Sequence, residues 1–497
     1  MILPFIQVIT FCKLIYSDTN LRCMEKRLIN YKPMALNVGI RLCTLFLILL
    51  NITGCRTPRP ETHQEALASV LTEYADIPTN WIESDLEQAL EPGWLTRFED
   101  PGLTAYVNKV IEHNLSLRAL IYRVDAAAAA ARKARAPLLP SVGISGTSQA
   151  IDTYNDSDLQ SQTTEATVGI SWEVDIWGRL RAQRNAAAAS YEAIEADLAY
   201  ARLSLAAQAS KIWFQATETY QQLTYAKEVV DLQEKTLSIV QAKFDEGRLT
   251  KKEVYLSLTD LNVAKERLYS AQNAHMRTIR VLEILAGKYP LNNHDFSHTF
   301  ALIPETIPAG LPSELIERRP DLIAAAKRVD AAFEKVTQAK AARLPSITLT
   351  GASGYSSSDL FDLLGANGIF WSAAANFLAP IYTGGALKEQ VKIESATQQA
   401  ALAEFGQAAL IAFSEVEDAL SNDVLLAKRE QQLNTGWENS VAALDIAMIQ
   451  FESGKLDVLS VLQMQDRVIN ARIAQISIRN QRLSQRVDLH LALGGSF

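Results

Sequence analysis

The sequence predicts a mainly α-helical, internally duplicated protein whose few β-strands form a transmembrane β-barrel. Three observations support this prediction. The stretch 167–178 alternates apolar and polar residues, which is the period of a β-strand with two different faces. The stretch 179–246 contains neither Pro nor Gly and predicts helical structure that as one helix is roughly 100 Å long, at about 1.5 Å per residue. The same order of segments then returns about 205 residues later.

The duplication is visible in matching residues. Adding 205 to the positions of Pro140 and Trp172 gives Pro345 and Phe377, which have the same chemical character. Farther along the chain the shift becomes 207, so that the segment 244–249 matches 451–456. One chain therefore holds two copies of one structural unit.

Composition excludes several classes of protein. The chain has 497 residues, of which 48% are hydrophobic and 21% charged, and its formal net charge of −8 offers no basic field to nucleic acid. Its four cysteines occupy positions 12, 23, 43 and 55. Disulfides and cysteine-based metal sites are therefore excluded from the main body of the chain.

Residues 1–54 have the pattern of a signal peptide. An apolar run at 42–50 follows the basic Arg41 and precedes small residues, and it is too short to span a bilayer as a permanent helix. Met24 or Met34 are alternative starts. The tetrapeptide Ile-Thr-Gly-Cys at 52–55 resembles the lipobox of bacterial lipoproteins, which implies that Cys55 carries a lipid anchor. The alternative is an ordinary signal peptide followed by an incidental cysteine.

The remaining chain divides into four parts. These are an extended arm with five prolines at 55–102, a first copy at 103–287, a proline-rich linker at 288–311 and a second copy at 312–497. In the first copy we expect a helix at 103–136, strands at 142–148 and 167–178 around a polar loop at 151–164, and helices at 179–246 and 250–286. In the second copy we expect a helix at 313–343, strands at 347–355 and 369–382, a helix at 386–453 and a final helix that ends at 493.

The strand at 167–178 carries a candidate membrane-spanning surface, because about ten residues suffice to cross an outer membrane when the strand is tilted. The predicted lipid-facing residues are Val168, Ile170, Trp172, Val174 and Ile176. The predicted lumen-facing residues are Ser171, Glu173 and Asp175. The alternative is a small soluble sheet packed on helices, in which the apolar residues belong to a core.

Four strands per chain cannot close a barrel alone. An open strand edge in lipid leaves backbone N–H and C=O groups unpaired, at a cost of several kcal/mol each. The chain must therefore pool its strands with copies of itself, and two, three or four copies satisfy this requirement. The helices of several protomers would then continue the barrel as a hollow tube.

Specific motifs give a family resemblance. They are Trp-Leu-Thr-Arg-Phe-Glu-Asp-Pro-Gly-Leu at 94–103, Leu-Pro-Ser at 139–141, Trp-Glu-Val-Asp-Ile-Trp-Gly-Arg-Leu at 172–180, the stretch 310–322 with its Glu-Arg-Arg-Pro-Asp-Leu, and Gly-Lys-Leu-Asp-Val-Leu at 454–459. With these motifs the chain resembles the outer membrane efflux proteins of the TolC type, in the lipoprotein branch of NodT and OprM. The resemblance spans nearly all of the chain after the signal peptide.

The resemblance implies an assembly and a function. It implies a homotrimer with a twelve-stranded barrel and a periplasmic tube of twelve helices, in contact with a periplasmic adaptor protein and an inner-membrane efflux pump. The chain would be a passive conduit in the outer membrane for small molecules such as drugs and toxic compounds. Outer membrane lipid is an expected partner and nucleic acid is not.

The resemblance also implies a gate and an adaptor contact. The family closes its tube near the helical tips with rings of acidic residues, and Asp445 falls at that position, whereas its first-copy counterpart is Ser238. A ring of Asp445 side chains would attract cations, and the alternative is an ordinary solvated helix residue. The tip residues expected to contact the adaptor, which also suit helix C-caps, are Gly247, Arg248, Leu249, Thr250, Gly454, Lys455, Leu456 and Asp457.

Motifs for catalysis are absent from the sequence, which contains no P-loop, Rossmann fingerprint, nucleophile elbow or zincin motif. We therefore expect neither enzyme activity nor a cofactor. His294 and His298 have a ligand-like spacing but lie in the linker without a third ligand, which disfavours a metal site. Three alternatives stay open: an efflux channel for copper or silver ions, a type I secretion outlet, and a structural coiled-coil lipoprotein without a pore.

Overall fold

Long helices dominate the chain, whose structure is a computed structural model. It describes residues 62–74, 81–82, 93–152, 160–304, 312, 315–358 and 369–495. Before the first copy, helix α1 spans His63–Tyr74 and a 3-10 turn spans Trp94–Phe98. The predicted signal peptide and Cys55 lie outside the described residues.

Each copy contains two shorter helices, two strands and two long helices within the described ranges. In the first copy these are α2 (Pro101–His113), α3 (Leu115–Arg135), β1 (Ser141–Asp152), β2 (Gln160–Val174), α4 (Arg179–Asp245) and α5 (Lys251–Leu285). In the second copy these are α6 (Leu315–Arg318), α7 (Pro320–Ala341), β3 (Ser346–Ser357), β4 (Ile369–Leu378), α8 (Ala386–Glu452) and α9 (Val458–Ala492).

The long helices of the two copies agree in length as well as in order. Helices α4 and α8 both contain 67 residues, and α5 and α9 both contain 35. Gly178 and Gly385 precede the long helices with φ angles of 81° and 87°, a left-handed conformation that glycine adopts readily. These equal lengths confirm the duplication that the sequence predicts.

The predicted first helix of each copy is divided in two. In the first copy the division is at Asn114, which has extended backbone angles and whose side chain accepts a hydrogen bond from an amide of α3. In the second copy it is at Arg319, because the residue before a proline, here Pro320, is disfavoured in the helical conformation. The prediction of one continuous helix was wrong at both positions.

The strands also differ from the prediction at their ends. Pairing of β1 with β2 continues as far as Asp152 opposite Gln160, so that part of the predicted polar loop belongs to this hairpin. Backbone pairing does not require apolar side chains, which is why polarity misled the prediction there. Strand β4 ends at Leu378 rather than at Tyr382, because Pro380 has no N–H group to donate to a sheet.

The four strands form one antiparallel sheet in the order β1-β2-β3-β4. Strands β2 and β3, which come from different copies, pair from Thr164 opposite Ser357 to Val174 opposite Ile347. The centre of the sheet therefore joins the two copies. Strands β1 and β4 are its edges, and within the described residues each pairs on one side only.

The long helices lie side by side. Helix α4 packs against α5 and α9, and α8 packs against α9. Their lateral order is therefore α5-α4-α9-α8. The shorter helices α3 and α7 both pack against α4, and α7 also packs against α8. Helices α5 and α8 are thus the free edges of the helical layer, as β1 and β4 are the free edges of the sheet.

Among the apolar clusters that hold the described long helices together, two mark the middle and the tip of the helical layer. A middle cluster packs the 3-10 turn and α2 against α4, α5 and α9, and its members include Trp94, Phe98, Leu103, Val107, Phe214, Leu282 and Val487. A tip cluster packs the turn ends of α4, α8 and α9 against one another through Val240, Phe451, Val458, Val461 and Leu462. Buried alanines on α4, such as Ala206 and Ala209, allow close approach of the neighbouring helices.

Both copies tie the end of the second long helix to the division between the two shorter helices. In the first copy Asn114 Nδ2 donates to the carbonyl oxygen of Leu285 at 3.1 Å. In the second copy Arg319 Nη1 donates to the carbonyl oxygen of Ala492 at 3.2 Å. The donors lie 205 residues apart and the acceptors 207 apart, as the duplication requires. Two different side chains therefore make the same closing contact.

Gly287 follows α5 at this contact and has a φ angle of 69°. A Cβ at position 287 would lie 2.6 Å from the carbonyl oxygen of His113, which is too close for real atoms. Gly247 at the opposite end of the helix pair has a similar φ of 76°, but no atom lies within 4 Å of the place that a Cβ would occupy there. Substitutions at the two glycines therefore distinguish the cost of a left-handed backbone, which both share, from the cost of steric overlap, which only Gly287 has.

We expect Gly287→Ala to destabilise the protein more than Gly247→Ala. Both substitutions incur about 1–2 kcal/mol for a left-handed alanine, and only the first adds the overlap with His113. The measurement is the apparent melting temperature of the detergent-solubilised protein. Equal decreases in the two variants would contradict the close contact between α2 and the end of α5.

Candidate functional site

The sheet has one largely apolar face, and its other face is mostly small or polar, with Phe370 and Leu378 near the two ends of β4 as exceptions. On the first face the register aligns apolar residues, in the pairs Val142↔Ile170, Ile144↔Val168, Trp172↔Leu349, Val174↔Ile347 and Ile347↔Phe377. On the second face it aligns Gly143↔Gly169, Ser145↔Thr167, Ser171↔Thr350, Glu173↔Thr348 and Thr348↔Asn376. Large side chains on the apolar face are exposed in the single chain, Ile144 by 84% and Trp371 by 79%. An exposed apolar surface of this extent indicates an apolar partner.

Strand β2 holds six of the eight residues predicted to line the barrel. Val168, Ile170, Trp172 and Val174 share the apolar face, and Ser171 and Glu173 share the other. The assignment of these faces to lipid and lumen stays a prediction. Asp175 and Ile176 lie beyond the end of β2, so their predicted positions within the strand were wrong.

Asp175 leaves the strand because it caps helix α4. Its Oδ1 accepts a hydrogen bond from the Leu180 amide at 3.1 Å, and its Oδ2 accepts from the amide and Nε of Arg181, each at 3.0 Å. Free amides and the helix dipole favour a carboxylate at this end of a helix. Next to it, Arg179 Nη2 donates to both carboxylate oxygens of Glu173 at 2.8 and 2.7 Å. The charges where β2 meets α4 are therefore paired with one another.

The predicted tips are matching helix ends at Gly247 and Gly454. Their φ angles are 76° and 74°, and no atom lies within 4 Å of a Cβ built at either position. The amides of Arg248 and Lys455 each bond back to a carbonyl oxygen of the last helical turn, at 2.9 and 2.8 Å. Glycine is therefore required by the backbone conformation of the turn rather than by a close neighbour.

The returning helices begin with side-chain caps. Thr250 forms a capping box with Glu253 at the start of α5. Asp457 Oδ1 accepts the amide hydrogen of Ser460 at 2.7 Å at the start of α9, and this bond lowers the pKa of Asp457. Leu249 and Leu456 are half-buried against the tip cluster, whereas Arg248, Thr250, Lys455 and Asp457 are exposed. The exposed part of each tip is thus polar.

Lys243 joins the two tips, a contact that sequence reasoning missed. Its Nζ donates to the carbonyl oxygen of Phe451 at 2.6 Å and lies 4.2 Å from the centre of the Phe451 ring. The helix dipole and the ring face both favour a cation at this place. The tips of the two copies therefore form one unit.

Asp445 lies exposed on α8, seven residues before the helix ends. Two neighbouring apolar side chains, Ile446 and Ile449, are exposed by 58% and 67%. At about 1.5 Å per residue, the carboxylate lies roughly 10 Å from the end of the helix. Asp445 therefore lies near the tip as the sequence predicts, and its role as a gate stays a prediction.

The two linker histidines belong to separate aromatic groups. His294 packs edge-on against Tyr106, with ring centroids 5.2 Å apart. His298 stacks on Tyr220, with centroids 4.1 Å apart and an angle of 15° between the rings. Across the part of the chain that the structure describes, no three His, Cys, Asp or Glu side chains are grouped so that they could hold a metal ion.

A charged seam between α8 and α9 was also missed. Arg486 Nε lies 3.1 Å from Asp423 Oδ1, and Glu430 pairs with Arg479 at 3.4 Å and with Arg482. The signal was present in the sequence, because the first-copy positions that correspond to three of these residues are apolar, namely Ala216, Leu223 and Ile279. The two copies thus share a backbone but differ in the chemistry of their seams.

None of the helices in the described ranges is both long and apolar enough to cross a membrane.

His490 is a buried neutral group near the end of α9. It stacks on Trp94 with ring centroids 5.4 Å apart, and neither ring nitrogen has a hydrogen-bond partner among the described residues. Burial, followed by the positive charges of Arg97 and Arg486, lowers the pKa of His490 to about 3. Protonation of this ring therefore opposes the folded state.

Comparison with known proteins identifies the family to which the chain is similar. The family model for "Outer membrane efflux protein" matches residues 106–280 and 311–495. The chain is 28% identical over 478 residues to the pyoverdine export outer membrane protein OpmQ of Pseudomonas putida, covering 92% of this chain and 97% of that protein. It is 24% identical over 467 residues to the cation efflux system protein CusC of Escherichia coli O157:H7, covering 91% and 98%.

A solved structure shares the fold. The Campylobacter jejuni CmeC outer membrane channel superimposes with a TM-score of 0.79 at 23% sequence identity, covering 84% of this chain and 90% of that chain. Coverage of 84% of the chain exceeds the length of either copy, so the likeness includes residues of both copies.

We expect acid to destabilise the protein through His490, and His490→Leu to remove this effect. The folded pKa of about 3 lies below the ordinary value of 6.5, so the stabilising contribution of the neutral ring is complete above pH 6.5 and is lost as the pH falls toward 3. The loss amounts to about 1.4 kcal/mol per pH unit per protomer.

The measurement is the apparent melting temperature of both proteins between pH 8 and pH 4.5. The difference between wild type and variant should shift in favour of the variant as the pH falls. His113→Gln, which changes an exposed ring, is the matched control and should follow wild type. The same pH dependence in His490→Leu and wild type would contradict the buried neutral histidine.

Proposed function

We propose that this chain, which belongs to the outer membrane efflux protein family, is the passive outer-membrane channel of a tripartite pump that exports small molecules. In such a pump an inner-membrane transporter supplies the substrate and a periplasmic adaptor joins it to the channel. The observation that carries the proposal is the two-faced sheet, open at both edges and continued by long helices. The chain conducts its substrate without a catalytic step.

The two faces of the sheet support a water-filled barrel in lipid. The apolar face offers Ile170, Trp172 and their aligned neighbours to acyl chains, and the other face offers Ser171 and Glu173 to water. Strands β1 to β4 contain 12, 15, 12 and 10 residues, enough to cross the apolar layer when tilted.

The free edges support a ring of protomers. If β1 of one protomer pairs with β4 of the next, no strand edge stays open, and the same head-to-tail order brings α5 of one protomer against α8 of the next. Three protomers of four strands give the twelve-stranded barrel of a homotrimer.

Exposed apolar residues lie at matching heights on these two helices. Leu258 is seven residues from the tip end of α5, and Ile446 is six residues from the tip end of α8. Their exposed fractions in the single chain are 40% and 58%. Tyr255 and Ile449 form a second pair closer to the tip, exposed by 56% and 67%. These residues favour packing between neighbouring protomers.

The partners follow from the two ends of the tube. The exposed tip residues Arg248, Thr250, Lys455 and Asp457 are the proposed contact with the adaptor, and Cys55 is the proposed lipid anchor in the outer membrane. By their names, one relative exports pyoverdine and another serves a cation efflux system. Relatives of this architecture thus serve different substrates, which supports selection of the substrate by the inner-membrane pump.

We expect Ile170→Arg to abolish assembly in the outer membrane and Ser171→Arg to permit it. An arginine on the lipid face near the bilayer midplane costs about 2–4 kcal/mol per protomer, whereas one on the water-filled side does not incur this cost. The measurement is the yield of trimer in outer membrane fractions, together with conductance in planar bilayers. Normal yield and conductance of Ile170→Arg would refute the barrel.

The proposed gate is a ring of Asp445 side chains near the helical tips. We expect Asp445→Ala to raise leak conductance and sensitivity of cells to vancomycin, because the ring of negative charge that narrows the pore is lost. Ser238→Ala, at the corresponding position of the first copy, is the matched control and should behave as wild type. If Asp445→Ala also keeps wild-type leak and sensitivity, Asp445 is not the gate.

A further inference from the structure

Unpaired basic residues collect at the ends of α3 and α7, next to the first residues of β1 and β3. They are Arg132, Lys133 and Arg135 in the last turn of α3, Lys340 in the last turn of α7, and Arg343 just after it. All five side chains are exposed. In the ranges that the structure describes, none of them forms an ion pair with a carboxylate. Their charge is therefore available to an external partner.

Positive charge is in excess at this end of the helices. The four segments that join helices to strands, 132–140, 173–184, 340–345 and 378–392, contain ten basic and three acidic residues. The whole chain carries a net charge of −8. The segments at the sheet end are thus positively charged although the whole chain is negatively charged, which indicates a local role for their basic residues.

Stabilisation of helix ends does not account for these residues. Basic side chains near a helix C-terminus do favour the dipole. The last turns of helices α5 and α8, however, contain no basic residue at all. Single basic residues do occur in the last turns of α4 and α6, at Lys243 and Arg318, but among the described helices only α3 has three basic residues there.

The charges lie beside an exposed apolar surface. The apolar face of the sheet begins at Val142 on β1 and at Ile347 on β3, a few residues after the basic ends of α3 and α7. Exposed side chains at the same end of the sheet include Leu139, Trp177, Phe377, Ile381 and Tyr382. Apolar surface bordered by unpaired cations is complementary to a lipid monolayer, in which acyl chains are bordered by phosphate groups.

A recess of about 340 Å³ lies at the same junction and does not carry this charge. Its wall contains Glu173 and Arg179, which neutralise each other, together with Pro345 and Leu378. Lys340, Arg343 and the basic residues of α3 are not among the residues that line it. A phosphate is therefore expected at the exposed helix ends rather than within the recess.

We propose that the basic ends of α3 and α7 bind the phosphate groups of anionic phospholipids in the periplasmic leaflet of the outer membrane. This inference rests on the proposed function, because the barrel is what places the junction at that leaflet. The bound lipids fix the depth of the sheet in the membrane, with Arg135, Lys340 and Arg343 as the principal contacts. The interaction is electrostatic and weakens as salt concentration rises.

The test is native mass spectrometry of the delipidated, detergent-solubilised trimer with equal amounts of phosphatidylglycerol and phosphatidylcholine. Wild type should retain phosphatidylglycerol in preference to phosphatidylcholine. Lys340→Gln/Arg343→Gln should reduce this preference about fivefold for each residue replaced, as expected for basic residues at an anionic surface. Lys251→Gln/Lys252→Gln, which removes the same charge at the tips, is the matched control and should keep the preference.

Three results would overturn the proposal, and the first two concern the lipid preference itself. One is equal retention of the two lipids by wild type, and the other is an unchanged preference in Lys340→Gln/Arg343→Gln. Displacement of phosphatidylglycerol by an equal concentration of glycerol 3-phosphate would also contradict it, since the site would then bind a free anion. Conductance of the same variants separates this inference from the proposed function, because a conducting trimer without lipid preference refutes the lipid site alone.

Discussion

Backbone groups left open at the two edges of the sheet are the constraint on which the rest of the structure depends. Strands β1 and β4 each pair on one side only within the described residues, and the apolar face between them is exposed. In a membrane, acyl chains cover the apolar face, but the open edges are stable only if another protomer supplies the missing strand. The helical layer repeats the situation with α5 and α8 at its edges. Sheet and helices therefore require the same neighbour in the same order.

Duplication supplies an economical way to build such an edge-to-edge unit. The central pairing of β2 with β3 joins the two copies, and the contacts of Asn114 and Arg319 close each copy at equivalent places. The copies then diverge where helices meet. The α8–α9 seam carries buried charges such as Arg486 and Asp423, whereas the corresponding positions of α4 and α5 are apolar. A tube made from these units has seams of two kinds.

Much of the fold could be predicted from sequence because its signals are local and periodic. The strand alternation at 167–174 and the glycines at 247 and 454 locate elements without reference to distant residues. The end of β2 was misplaced because Asp175 continues the alternation yet binds the amides of α4 instead. The closing contacts could not be predicted, since Asn114 and Arg319 reach carbonyl oxygens 171 and 173 residues away. Pairing across such distances leaves no periodic trace.

The connection between β4 and α8 contains a difference in length between the two copies, whereas the helices α4 and α8 are equally long. Gly178 and Gly385 lie 207 residues apart while the strands lie 205 apart, so the second copy gained two residues, or the first lost them, in the turn before the helix. Within a helix the same change would move the tip by about 3 Å and rotate every later side chain by roughly 200°. Placed in the turn, it leaves helical phase untouched. The turn therefore accommodates the two-residue difference, and the tips of the two copies remain at the same distance from the sheet.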